Sequence, residues 1–248
     1  MGTSKIYCFL GFGFMNKYVD FVSDEDFLEA VEHVVNGYPT SDDDDSPITV
    51  LKESRNTIDE FKTIFDVCVN QTDFKQWSKL EITRQNDKTI NNKIGEFHQI
   101  LLGKVDGWVD LGIGDETEID LKKEDNTIFI ELKNKYNTMN SSSTKTCREK
   151  LENVLEMYPN AIVYWAYVIS KDYKSEERVW VYHQREDERI RRISGDKLYE
   201  MITGDPDALQ KTFNAIPIAI MDIKGKDYEL TLENKKILEE YNNFIFKD

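Results

Sequence analysis

The chain has 248 residues, 40 % of them apolar and 32 % charged, with a formal net charge of −15. That length fits one domain with modest additions, and no apolar run is long enough to span a membrane. Three scattered cysteines (Cys8, Cys68 and Cys147) and three scattered histidines (His33, His98 and His183) match neither a disulfide framework nor a zinc site, so a reducing, cytoplasmic setting is expected.

In chain order, the apolar stretch 6–15 reads as a buried strand, and Gly11 and Gly13 within it as a turn. Residues 24–36 (DEDFLEAVEHVVN) carry helical spacing with acids in the first turn. Residues 38–47 form a loop, and the aspartates at 42–45 a solvated tip without the spacing of a calcium loop. Residues 55–69 predict a helix with Ile58, Phe61, Ile64 and Phe65 on one side. Residues 91–102 (NNKIGEFHQILL) predict another, with Ile94, Phe97, Ile100 and Leu101 inward. Three strands follow at 107–113, 117–121 and 127–133, the last two joined by a turn at 122–126. A helix over 144–158 and an apolar strand over 161–169, buried on both faces, complete the block. Further on, the pattern predicts a strand at 179–184, an arginine-rich stretch at 185–192, helices near 196–203, 205–214 and 231–246, and a strand around 216–223. The order helix, three strands, helix, strand predicts an α/β fold. One domain is expected: a mostly helical accessory part over 1–90, a core over 91–170 and a C-terminal extension over 171–248.

The chemistry concentrates in the core. Strand side chains alternate between faces, so Ile128, Ile130 and Leu132 share one face while Phe129, Glu131 and Lys133 share the other. Ile119 and Leu121 likewise face one way and Asp120 the other. If the strands pair over a common core, Asp120, Glu131 and Lys133 converge. Two hard carboxylates suit Mg²⁺, and a lysine beside them can orient an attacking water or a phosphate. The competing account is a solvated strand face with a cross-strand salt bridge. Asp110, one strand earlier, is an alternative first acid, and His98 reads as structural rather than as a base.

At Ile119-Asp120 and Glu131-Leu132-Lys133, within that order of elements, the sequence resembles the PD-(D/E)XK nuclease superfamily; Ile119 stands where the family's name has proline. Residues 95–108 (GEFHQILLGKVDGW) and 130–143 (IELKNKYNTMNSSS) resemble a family of type II restriction endonucleases that cut GGNCC-type sites. The resemblance implies a restriction-endonuclease-like core, a mixed central sheet flanked by helices. It also implies a homodimer cutting a short two-fold symmetric site in double-stranded DNA with Mg²⁺, leaving 5′-phosphate ends. Asp120, Glu131 and a backbone carbonyl near Leu132 would hold the metal, with Glu96 an additional acid on the preceding helix. Asn134, Lys135, Asn137, Thr138, Asn140, Ser141 and Ser142 would lie near the scissile phosphate or the base edges, N-cap and loop duty being the alternative.

Arg185, Arg189, Arg191 and Arg192 read either as DNA contacts or as an exposed helix laced with ion pairs. The acidic balance opposes DNA binding globally. It is uneven: Asp and Glu exceed Lys and Arg by eight over 1–80 but by two over 81–150. A repair or junction-resolving nuclease on the same scaffold, or a DNA-binding module without chemistry, are the rival readings.

Overall fold

A computed structural model describes residues 16–39, 57–112, 114–225 and 228–246. The readings at 6–15, including Gly11 and Gly13, and at 42–45 lie outside these residues. Helix α1 (Asp24–Val35) begins at Ser23, whose side chain accepts the Asp26 N–H, and buries Phe27, Ala30 and Val31. Helices α2 (Glu60–Asn70) and α3 (Phe74–Gly103) follow. Strands β1 (Trp108–Asp110), β2 (Leu121–Lys123) and β3 (Ile128–Lys135) lead into α4 (Ser141–Met157) and β4 (Ile162–Ile169). Then come β5 (Glu177–Val179), β6 (Ile190–Ser194), α5 (Gly195–Thr203), α6 (Ala208–Lys224) and α7 (Leu232–Ile245).

The strands form one mixed sheet in the order β1-β2-β3-β4-β6-β5. β1, β2 and β3 pair antiparallel, β3, β4 and β6 pair parallel, and β5 lies antiparallel on the edge. The alternation expected of β3 holds and sorts its side chains into two cores. Ile130 and Leu132 join Phe97, Leu101, Leu198 and Tyr199 under α1, α3, α5 and α6. Phe129 joins Leu151, Val154, Val163 and Trp165 under α4. The sheet is thus the middle of three layers, and β4, buried from Val163 to Val168, feeds both cores.

Several expected boundaries shift for identifiable reasons. The helix expected over 91–102 is the last part of the 30-residue α3, since the polar stretch before it continues helical. The helix expected over 55–69 runs instead from Glu60 to Asn70, capped by Asp59; Ile58 lies before it, and Phe61, Ile64 and Phe65 are exposed. Residues 117–120 are not a strand: Glu118 takes a left-handed backbone (φ 53°), and β2 starts only at Leu121. As a result, Ile119 and Leu121 point into opposite cores instead of sharing a face. The expected turn at 122–126 begins later, because Lys122 and Lys123 belong to β2. The helix expected from 144 starts at Ser141, because Asn140 caps it by accepting the Ser143 N–H. The strand expected at 179–184 is not formed beyond Val179: β5 covers Glu177–Val179, with only an isolated bridge from Tyr182 to Arg185 after it, and Arg191 and Arg192 lie on β6. The apolar run at 216–223 is not a strand; it is the second half of α6, where Thr212, Ala215 and Ala219 form a buried helical stripe despite Pro217.

His98 is buried in α3 and shares a 2.7 Å hydrogen bond with the Tyr199 hydroxyl, in line with its structural reading. Burial pushes its pKa down from 6.5 to about 4. The unfolded chain therefore binds this proton more readily. Stability from neutral His98 is complete above pH about 6.5 and is lost progressively as pH falls towards 4, on the order of 3 kcal/mol. Melting curves of wild type and His98→Gln between pH 7 and 4.5 check this. The wild type's advantage shrinks with falling pH; parallel curves would contradict it.

Candidate active site

β2 pairs with β3 only through Leu121–Ile130 and Lys122–Phe129. Beyond that register the left-handed residue at Glu118 carries the chain away, and the edge of β3 at Leu132 lacks a strand partner. The Asp120 side chain takes that place: its Oδ2 accepts the Leu132 N–H at 2.6 Å. In an extended strand the N–H and C=O of one residue point the same way, so the Leu132 carbonyl faces the same edge. The Asp120 backbone is fixed in turn, its carbonyl accepting the Leu111 N–H at 3.0 Å and the Gln99 amide at 3.4 Å.

From β3, Lys133 reaches both acids. Its Nζ donates to Glu131 Oε1 at 2.7 Å and stands 3.9 Å from Asp120 Oδ2. Glu131 is only 5 % exposed, and its second oxygen, Oε2, is buried without a hydrogen-bond partner. Burial, and then repulsion from Glu131, push the Asp120 carboxyl up to about 6, against the pull of Lys133 and the Leu132 N–H. Burial alone would depress the Lys133 ammonium, but the charges of Glu131 and Asp120 more than offset it and hold its pKa above the usual lysine value.

Glu131 and Lys133 open onto a cleft of about 380 Å³. Glu131 and Lys133 line it from β3, and Asn140, Ser142, Thr146 and Lys150 from α4. Lys150 was not singled out in the sequence. Its Nζ donates to the Glu118 carbonyl at 2.9 Å and lies 3.9 Å from Glu131 Oε1. The signal available was its position beside the buried stripe of Cys147, Leu151 and Val154, which turns it to the flank of the helix nearest the sheet.

The other candidates are placed as follows. Asp110 accepts from the Gln99 amide at 2.7 Å and the Gly112 N–H at 2.8 Å, and makes no ion pair with Lys133. Glu96 is exposed and bonded to His33 at 2.5 Å, without contact to the trio. Asn134 has a buried, unpartnered Oδ1. Lys135 is exposed at the end of β3, and Asn137 and Thr138 are exposed after it, Thr138 donating to the Lys135 carbonyl. Asn140 is the α4 N-cap, with Ser141 and Ser142 exposed in the first turn. The arginines are held by the chain's own acids: Arg185 by Glu152, Arg189 by Asp187, Arg191 by Glu177 and Arg192 by Glu176.

No cluster of three or more His, Cys, Asp or Glu side chains fit to hold a metal occurs among the described residues. A magnesium ion does not need one. It keeps several waters and takes one or two carboxylates, which Asp120 and Glu131 supply, and the unpartnered buried Glu131 oxygen is the group a cation would satisfy. The donor set fits.

No helix among the described residues is long and apolar enough to cross a membrane. Residues 19–224 match the family described as Eco47II restriction endonuclease. The chain is 36 % identical over 219 residues to the type II restriction enzyme Sau96I of Staphylococcus aureus, covering 84 % of this chain and 81 % of that protein. It is 30 % identical over 213 residues to the type II restriction enzyme Eco47II of Escherichia coli, covering 82 % and 86 %.

Proposed function

Because the chain belongs to the Eco47II family of type II restriction endonucleases, we propose that it hydrolyses double-stranded DNA at a short two-fold symmetric, GGNCC-like site in a Mg²⁺-dependent reaction. The observation that carries this reading is the Lys133 ammonium between the Asp120 and Glu131 carboxylates, beside a buried Glu131 oxygen with nothing to bind.

Asp120, Glu131 Oε2 and the Leu132 carbonyl would hold the magnesium ion, which supplies Lewis-acid polarisation and charge neutralisation at the phosphoryl group. Lys133 orients the attacking water with a donor left over from its bond to Glu131. The water oxygen bonds to phosphorus as its proton passes to solvent. The bond from phosphorus to the 3′ oxygen breaks, and that oxygen takes up a proton from solvent. The ends are a 5′-phosphate and a 3′-hydroxyl. Asn140 and Ser142 at the cleft, with the exposed Lys135, Asn137, Thr138 and Ser141 in the stretch from the end of β3 into α4, supply polar groups for DNA; Asn134, which has the parity of Leu132 and a buried Oδ1, does not line this cleft. The near-balanced charge over 81–150 supports binding on this side of an acidic protein. Two copies acting together are part of this reading; exposed Phe61, Ile64, Phe65 and Val69 on α2 offer apolar surface for pairing.

Incubation of the purified protein with plasmid DNA and Mg²⁺ tests the proposal. Discrete fragments are expected, lost with EDTA and in Lys133→Ala. A plasmid left intact while branched DNA is cut would assign the scaffold to junction resolution, and no cutting of either would sink the nuclease reading.

A further inference from the structure

Ser142, Thr146 and Lys150 are spaced four residues apart on α4, so they lie in a line along one face of the helix, and all three line the cleft that holds Glu131 and Lys133. Lys150 ends that line beside Glu131. At 3.9 Å from Oε1 its Nζ is too far away for a hydrogen bond, and Oε1 is already served by Lys133 at 2.7 Å. Lys150 is therefore not there to satisfy Glu131. An ammonium carries three donors. The Glu118 carbonyl takes one; the exposed Glu118 carboxylate stands 3.8 Å away, beyond hydrogen-bond reach, and the Lys150 side chain, 26 % exposed, keeps its other donors available at the cleft.

The electrostatics of the proposed reaction ask for a cation at this place. With a divalent ion bound, two carboxylates and Lys133 leave a single net positive charge, which the scissile phosphodiester cancels. Attack by water then builds further negative charge on the phosphoryl oxygens, and the trio holds nothing in reserve to offset it.

We infer that Lys150 is a further catalytic residue: its ammonium group, steadied by the Glu118 carbonyl, binds a non-bridging oxygen of the scissile phosphate and offsets the charge that develops there. This rests on the nuclease reading above. Lys150 transfers no atom; the bonds that form and break remain those between the water oxygen, phosphorus and the departing 3′ oxygen.

The test has one readout that needs no metal. Binding of a short duplex carrying one GGNCC site is measured in EDTA across a range of salt concentrations. Loss of one phosphate contact makes the slope of log affinity against log salt shallower by about 0.9, and Lys150→Gln is expected to show that change while Lys150→Arg keeps the wild-type slope. With Mg²⁺, the single-turnover cleavage rate of Lys150→Gln falls by about a hundredfold or more. Lys150→Met, which keeps the packing of the stem, replaces the glutamine variant if that one melts below the assay temperature. A wild-type slope and rate in the neutral variant overturn the inference. A lowered melting temperature with an unchanged slope also overturns it, because it confines Lys150 to holding the Glu118 carbonyl. Wild-type protein that cuts no DNA in Mg²⁺ is a different outcome and counts against the nuclease reading itself.

Discussion

Replacing Glu131 with glutamine is expected to lower DNA cleavage by about a thousandfold or more, a loss of about 4 kcal/mol in the barrier. The substitution is nearly isosteric, and the amide oxygen still accepts from Lys133, so β3 keeps its packing. What disappears is one of the two charges that attract a divalent cation, at a position only 5 % exposed where no solvent replaces it. A second measurement separates lost chemistry from lost fold. Without metal, the variant binds DNA more tightly than wild type, because a carboxylate facing the phosphates repels them. Cleavage within tenfold of wild type would remove Glu131 from the catalytic group.

Phe129→Ala is expected to cost about 3–5 kcal/mol of stability, a large share of a typical total. The ring is fully buried, sits 4.7 Å from the Tyr158 ring and packs with Leu151 and Val163. It lies two residues before Glu131 on the same face, so the cavity opens under the strand that carries the acid and the lysine. A drop in melting temperature on the order of 10 °C is expected for a chain of this size. Leu232→Ser serves as contrast. That side chain, at the start of α7 and away from the α2 surface, is 86 % exposed, and its loss changes stability by no more than about 0.5 kcal/mol. Equal effects from the two substitutions would mean that the core assignment fails.

The trio was legible in the sequence because parity along an extended segment is strict. Ile130 and Leu132 must point away from Glu131 and Lys133, and in the structure they do. Asp120 was found by an argument only partly right. It comes to Lys133 and the Leu132 N–H through a bend after a left-handed Glu118, and not as part of a regular strand. Backbone handedness at a single glutamate leaves no trace in an apolar pattern. The run at 216–223 misled because a buried helix half and a buried strand look alike over eight residues; the four-residue step from Ala215 to Ala219 was the mark of the helix. Lys150 was missed because its role depends on which flank of α4 meets the sheet, a tertiary fact. Arg185, Arg191 and Arg192 carried no sign of which acids hold them, since Glu152, Glu176 and Glu177 lie outside that stretch; the Arg189–Asp187 pair, two residues apart, was within its reach.

The unbroken span of α3 has a practical consequence. At about 1.5 Å per residue, its 30 residues form a strut on the order of 45 Å long, buried near one end through Trp77 and tied at the other through Gln99 to Asp110 and the Asp120 carbonyl. A truncation at residue 90, where composition suggests an appendage ends, would saw this beam in mid-span. It would strip the shortened remainder of its Asp73 cap and loosen the brace behind Asp120.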